Sequence, residues 1–111
     1  MSSSSELSQA ARRRHVALAG ELDVATGPAA FVHIMQTRPR PGDMLTVDLG
    51  DVTFMDSSGI AMLLKAKCYL EGGDCQLVLT NVSQPVRRLI QLLGLTETFS
   101  LEDGPTGADA R

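Results

Sequence analysis

Asp48-Leu49-Gly50-Asp51-Val52-Thr53-Phe54-Met55-Asp56-Ser57-Ser58-Gly59-Ile60 is the stretch on which the reading of this chain turns. Upstream of it, Met44-Leu45-Thr46-Val47-Asp48-Leu49 reads as a strand. A Gly50-Asp51 turn and the short apolar step Val52-Thr53-Phe54-Met55 follow. Asp56-Ser57-Ser58-Gly59 then opens a helix from Ser57 to about Leu70, closed by Gly72-Gly73 in the C-cap position. This order places a serine hydroxyl at the positive end of a helix dipole, where an added phosphate is tolerated and highly visible. Such an arrangement describes a switch before it describes a catalyst.

The same alternation continues on both sides. His15-Val16-Ala17-Leu18-Ala19 reads as a strand, ended by Gly20-Glu21-Leu22-Asp23. Thr26 is placed to N-cap the next helix, with Pro28 in its first turn. Ala30, Phe31, Ile34 and Met35 fall at helical spacing, and Pro39, Arg40, Pro41 and Gly42 end the helix near Thr37. Downstream, Cys75 to Thr80 reads as a third strand, and Ser83 caps a helix with Pro85 in its first turn. Val86, Leu89, Ile90 and Leu93 share a face of that helix, Gly94 stops it, and Thr98-Phe99-Ser100-Leu101 makes a last strand. Strands alternating with helices predict an α/β layer fold, a mostly parallel sheet with helices packed against it. With 111 residues there is room for one core. The domain is expected over residues 12–103, between a flexible Ser-rich segment 1–11 and a polar tail 104–111.

Composition narrows the function classes. Ten Lys+Arg against thirteen Asp+Glu give a formal charge of −3, which does not favour nucleic acid as a partner. One Tyr, three Phe and no Trp leave no stacking platforms for single strands. No apolar run reaches the length of a membrane span, and no apolar signal core follows Met1, so a cytoplasmic domain without a membrane partner is expected. Cys68 and Cys75 form no C-x-x-C and read as two reduced, partly buried thiols. No cofactor or metal motif stands out, and neither G-x-x-x-x-G-K-[ST] nor G-x-G-x-x-G occurs. A nucleophilic role for Ser57 needs a base beside it, yet the only histidines are His15, on a strand, and His33, in the first helix. The chain is read as a non-enzyme.

On local grounds alone, Asp-Ser-Ser-Gly is also a common turn, and either Asp56 or Ser57 could be a plain helix N-cap. Two features favour a site. The tetrapeptide falls at the carboxyl end of the sheet, where α/β proteins place their sites. The helix it opens is unusually apolar, with Ser58, Met62, Lys65 and Tyr69 on one stripe and Ile60, Ala61, Leu64 and Cys68 on another, the better core candidate. Apolar surface beside the serines is therefore expected to stay exposed as a docking face.

From His15 to Leu101 the chain resembles STAS domains of the bacterial anti-sigma factor antagonist family. The resemblance is carried by Gly20-Glu21-Leu22-Asp23, by Asp51-Val52-Thr53-Phe54-Met55-Asp56-Ser57-Ser58-Gly59, by Gly72-Gly73, by Ser83-Gln84-Pro85-Val86-Arg87-Arg88-Leu89 and by Gly94-Leu95, in that order. It implies that Ser57, directly after the Asp, is the phosphoacceptor. It also implies a partner, an anti-sigma factor that is an ATP-dependent serine/threonine kinase, bound by the unmodified protein and lost on phosphorylation. A separate serine phosphatase resets the switch. Glu21, Asp23, Met55, Asp56, Ser58, Gly59 and Met62 are assigned to partner contact on this reading, with Asp56 orienting the segment for the kinase or serving only as an N-cap. The family's opening strand would fall at Ser4 to Ala11, a stretch with few β-formers. The competing reading is a STAS module without a switch, serving as a scaffold or ligand sensor.

Overall fold

The computed structural model describes residues 12–102. Four strands and three helices alternate through them: β1 (Arg13–Leu22), α1 (Gly27–Met35), β2 (Met44–Met55), α2 (Ser57–Gly72), β3 (Gln76–Thr80), α3 (Gln84–Leu92) and β4 (Ser100–Glu102). The sheet order is β1-β2-β3-β4, and every neighbouring pair is parallel. Each step along the sheet is thus a strand–helix–strand crossover in the same direction. Because such crossovers are right-handed, all three helices lie on one face.

The core follows from that geometry. Val16 and Leu18 on β1, Leu45, Val47 and Leu49 on β2, and Leu77 and Leu79 on β3 alternate inward. They meet Ile34 of α1, Ile60, Leu63, Ala66 and Leu70 of α2, and Val86 and Ile90 of α3. Val78, on the opposite face of the sheet, is buried but stands outside this cluster. At the amino ends of the strands, buried Asp43 fastens the loop before β2. Its Oδ2 accepts from the Arg40 backbone N–H and from Arg14 Nε, each at 2.8 Å. The Arg40 N–H first, and Arg14 second, hold this carboxyl below the ordinary carboxylate range.

The α/β alternation and the helix boundaries agree with the sequence reading, with Asp56, Ser83 and Gly73 at the predicted cap positions. Several details differ. Gly50 and Asp51 do not turn the chain, and Gly20 to Leu22 do not end the first strand. Both stretches stay in the ladder, because β2 carries one extra residue between the pairs Ala17↔Asp48 and Ala19↔Asp51 and another between Gly20↔Val52 and Glu21↔Phe54. The hydroxyls of Thr26 and Ser83 make no cap bond. The Thr26 hydroxyl instead donates to the Glu21 carbonyl at 2.6 Å and closes the preceding turn.

On α2 the buried stripe is Ile60, Leu63, Ala66 and Leu70, whereas Ala61 and Cys68 are exposed and Leu64 is only partly covered. The helix rotates so that Gly59, not a side chain, faces the end of β1. Of the two thiols only Cys75 is buried, and burial pushes it up from its ordinary pKa. Segment 1–11, expected to be flexible, the strand sought at Ser4 to Ala11 and the tail 104–111 lie outside the described residues.

Candidate functional site

A single residue, Asp56, joins the end of β2 to the start of α2. Its backbone is extended, and its Oδ1 accepts from the N–H groups of Ser58 at 2.9 Å and Gly59 at 3.3 Å. Two of the orphan donors of the first turn are thus occupied by a fixed carboxylate. The Asp56 N–H in turn donates to the Leu22 carbonyl at 3.3 Å, which ties the joint to the end of β1.

Gly59 makes this joint possible. A Cβ there would stand 2.6 Å from Met55 Cγ, 2.7 Å from the Leu22 carbonyl oxygen and 3.1 Å from Leu22 Cβ. Only a residue without a side chain lets α2 come so near the strand end. Lifted on this platform, Ser57 is exposed and Ser58 half-buried.

The turn after β1 stands beside them. Asp23 Oδ1 accepts from the N–H groups of Ala25 at 2.9 Å and Thr26 at 3.0 Å. The Thr26 N–H first, and then the Thr26 hydroxyl and the Ala25 N–H, hold the Asp23 carboxyl below its ordinary range. Asp23 and Ser58 face a common groove of about 490 Å³ between α1 and α2. Met62, Ala61, Phe31 and Val32 give it apolar walls, and Lys65 closes the end away from the serines. Lys65 Nζ lies 4.9 Å from the centroid of the Phe31 ring, which meets Tyr69 edge-on at 5.6 Å and 66°. Val24, Val32 and Tyr69 remain largely exposed here, an apolar surface of the kind that marks an interaction site.

Among the residues picked out by sequence, Asp23, Asp56, Ser57, Ser58 and Met62 are gathered at this end of the molecule. The stripe Ser58, Met62, Lys65 and Tyr69 runs along the α2 side of the groove. Met55 and Gly59 are buried beneath the serines, so they hold the joint and offer no surface of their own, and Met62, also buried, contributes only to the lining of the groove. Glu21 is exposed on β1, opposite Phe54 in register, and does not line the groove. Sequence reasoning missed the α1 wall: Phe31 was placed only by its helical spacing, and Val24 and Val32 were not singled out. Val24, in the turn just before a helix and flanked by Asp23 and Ala25, is the signal that was available.

A family model described as "Mlab, STAS domain" matches residues 5–102. The chain belongs to the STAS domain family. It is 29% identical over 86 residues to the anti-sigma-B factor antagonist of Listeria monocytogenes, covering 78% of this chain and 75% of the relative. The corresponding protein of Staphylococcus epidermidis is 29% identical over 89 residues, covering 80% and 82%. Among solved structures, an anti-sigma factor antagonist from Mycobacterium paratuberculosis superposes with a TM-score of 0.66 at 31% identity, over 86% of this chain and 80% of that one. The unphosphorylated anti-sigma factor antagonist SpoIIAA superposes at 0.67 with 24% identity, over 89% and 85%, a likeness of fold. No helix among the described residues of this STAS domain is long and apolar enough to cross a membrane.

Proposed function

We propose that this STAS domain is an anti-sigma factor antagonist gated by phosphorylation of Ser57, acting by binding and not by catalysis. In the unmodified state its Ser57 end holds an anti-sigma factor that is also a serine/threonine kinase, and so releases the sigma factor. Transfer of phosphate to Ser57 ends the complex, and a serine phosphatase restores it. The observation that carries this reading is an exposed Ser57 opening a helix on which the next two N–H groups, those of Ser58 and Gly59, are already taken by Asp56.

That occupancy decides what a phosphate does. It brings about −1.5 to −2 charge near neutral pH. It cannot settle onto the Ser58 and Gly59 N–H groups unless Asp56 leaves them, so of the first turn only the Ser57 N–H is left to it and much of the charge stays uncompensated. The phosphate stands outward, at an end of the molecule that already carries Glu21, Asp23, Asp51 and Asp56. A partner seated there meets like-charge repulsion if it is acidic, and a desolvation cost in either case. Ser58, half-buried against the groove, is less open to a kinase than Ser57.

The test is incubation with ATP and the anti-sigma kinase of the source organism, read by intact mass. One phosphate is expected, absent in Ser57→Ala and retained in Ser58→Ala. Loss in the Ser58 variant alone would overturn the assignment. In a parallel titration Ser57→Asp should weaken the complex with the kinase, and an unchanged affinity would remove the gating.

A further inference from the structure

Most of the large apolar side chains left exposed among the described residues fall in two places. Val24, Val32 and Tyr69 surround the groove between α1 and α2, and Leu92 and Leu93 form the carboxyl-terminal tip of α3. One place is concave and the other is a knob. Leu92 is 77% exposed and Leu93 45%, both immediately before Gly94, whose φ of +73° ends the helix sharply and leaves the two leucines projecting.

The charges around the two surfaces match as well. Arg88 is exposed one helical turn before Leu92, on the same side of α3. Asp23 is at the serine end of the groove and Lys65 at the other. A helix laid along the groove in the direction of α2, with its cation toward Asp23, brings its negative carboxyl-terminal end toward Lys65.

We infer that the groove is an interface with a second copy of this chain, which inserts the Leu92–Leu93 tip of α3 between α1 and α2 and sets Arg88 against Asp23. The contact is of the helix-in-groove kind and is heterologous, groove to knob. It also has a regulatory consequence. The groove shares Ser58 with the phosphoacceptor turn, so an occupied groove crowds Ser57 and makes the associated form a poor substrate for a kinase. Only this consequence rests on the function proposed above; the association itself does not.

The experiment is sedimentation velocity on the purified full chain over a wide concentration range. Wild type should self-associate, with a steady rise in mean sedimentation coefficient. Leu92→Glu, which spoils the knob, and Val32→Glu, which spoils the groove, should each weaken association by about tenfold or more, because each places a carboxylate in an apolar contact. Both positions are exposed, so the fold should be kept, as checked by an unchanged circular dichroism spectrum and melting temperature. Mixing the two variants should restore association, since one intact groove and one intact knob remain. Wild type that stays monomeric at all concentrations overturns the inference. So does association that survives in either variant, or a mixture no better than its parts. None of these results depends on phosphorylation, so the inference and the proposed function fail separately.

Discussion

Replacing Gly59 by alanine tests the joint between β2 and α2 directly. On an exposed helix this exchange stabilises, by up to about 1 kcal/mol per residue from helix propensity. Here the new methyl would lie 2.7 Å from the Leu22 carbonyl oxygen and 2.6 Å from Met55 Cγ, with Leu22 Cβ at 3.1 Å. The carbonyl belongs to the strand backbone and accepts from the Asp56 N–H, so it cannot step aside without loosening the cap residue. Overpacking of this kind costs about 1–3 kcal/mol, and the rigid backbone puts Gly59 at the upper end. After the propensity gain, a net loss of about 1–2 kcal/mol remains. With a urea m-value of about 2 kcal/mol/M, the midpoint should fall by roughly 0.5–1 M at unchanged m. Gly72 supplies the control within the same helix. A Cβ there meets nothing within 4 Å, and its φ lies outside the left-handed range. Gly72→Ala should therefore leave stability unchanged or raise it by about 0.4–1 kcal/mol. A Gly59→Ala protein as stable as wild type would refute the claim that close approach to Leu22 sets the height of Ser57.

The capping carboxylate and the buried one can be tested in the same assay. Asp56→Ala removes the acceptor for the Ser58 and Gly59 N–H groups and should cost about 1 kcal/mol, whereas Asp56→Asn should keep most of the stability; equal losses in both would argue against a capping role. Asp43 and Asp23 have folded pKa values below the unfolded Asp value of about 3.9, so their contribution is fully present above that pH. It is lost as pH falls through the folded values, and the melting temperature should drop below about pH 4, less steeply in Asp43→Asn.

Much of this architecture is legible in the sequence because its punctuation is local. Pro28 and Pro85 in first turns, Gly72-Gly73 and Gly94 at helix ends, and the apolar runs of β2 and β3 each act over a few residues. What escaped is set between elements. Gly50-Asp51 has turn composition, yet parallel pairing with β1 continues through it by means of an extra residue in β2. The rotation of α2 about its axis was misread because Ala61 and Cys68 are apolar and fall on one stripe, while Gly59 contributes no hydrophobicity to betray the face that sits closest to β1. For the site, the Asp56-Ser57-Ser58-Gly59 turn, Asp23 and the Ser58 stripe were visible as motifs. The opposite wall, Val24, Phe31 and Val32, depends on how closely α1 approaches α2. At Gly27, where the helices meet, a Cβ would find Met62 Cβ at an ordinary contact distance of 3.8 Å, so no obligatory glycine marks the spacing and no single-sequence pattern encodes it.

If Ser57 is the phosphoacceptor, as proposed, the position of Asp56 decides how the start of α2 meets the phosphate. A helix start with free N–H groups is a good anion site, and a phosphoserine there tends to be drawn in and neutralised. Such a modification would stabilise the helix and change the surface little. Under the proposed gating, Asp56 fills the Ser58 and Gly59 donors beforehand, leaves the phosphate only the Ser57 N–H of the first turn, and adds its own negative charge beside it. On that proposal the domain should keep its fold while the docking end changes charge by about 1.5 to 2 units. A switch built this way needs no second conformation: the difference between its states is felt by whatever sits in the groove, whether a partner or another copy of the chain. It follows that the phosphorylated protein should superpose on the unmodified one while binding differently.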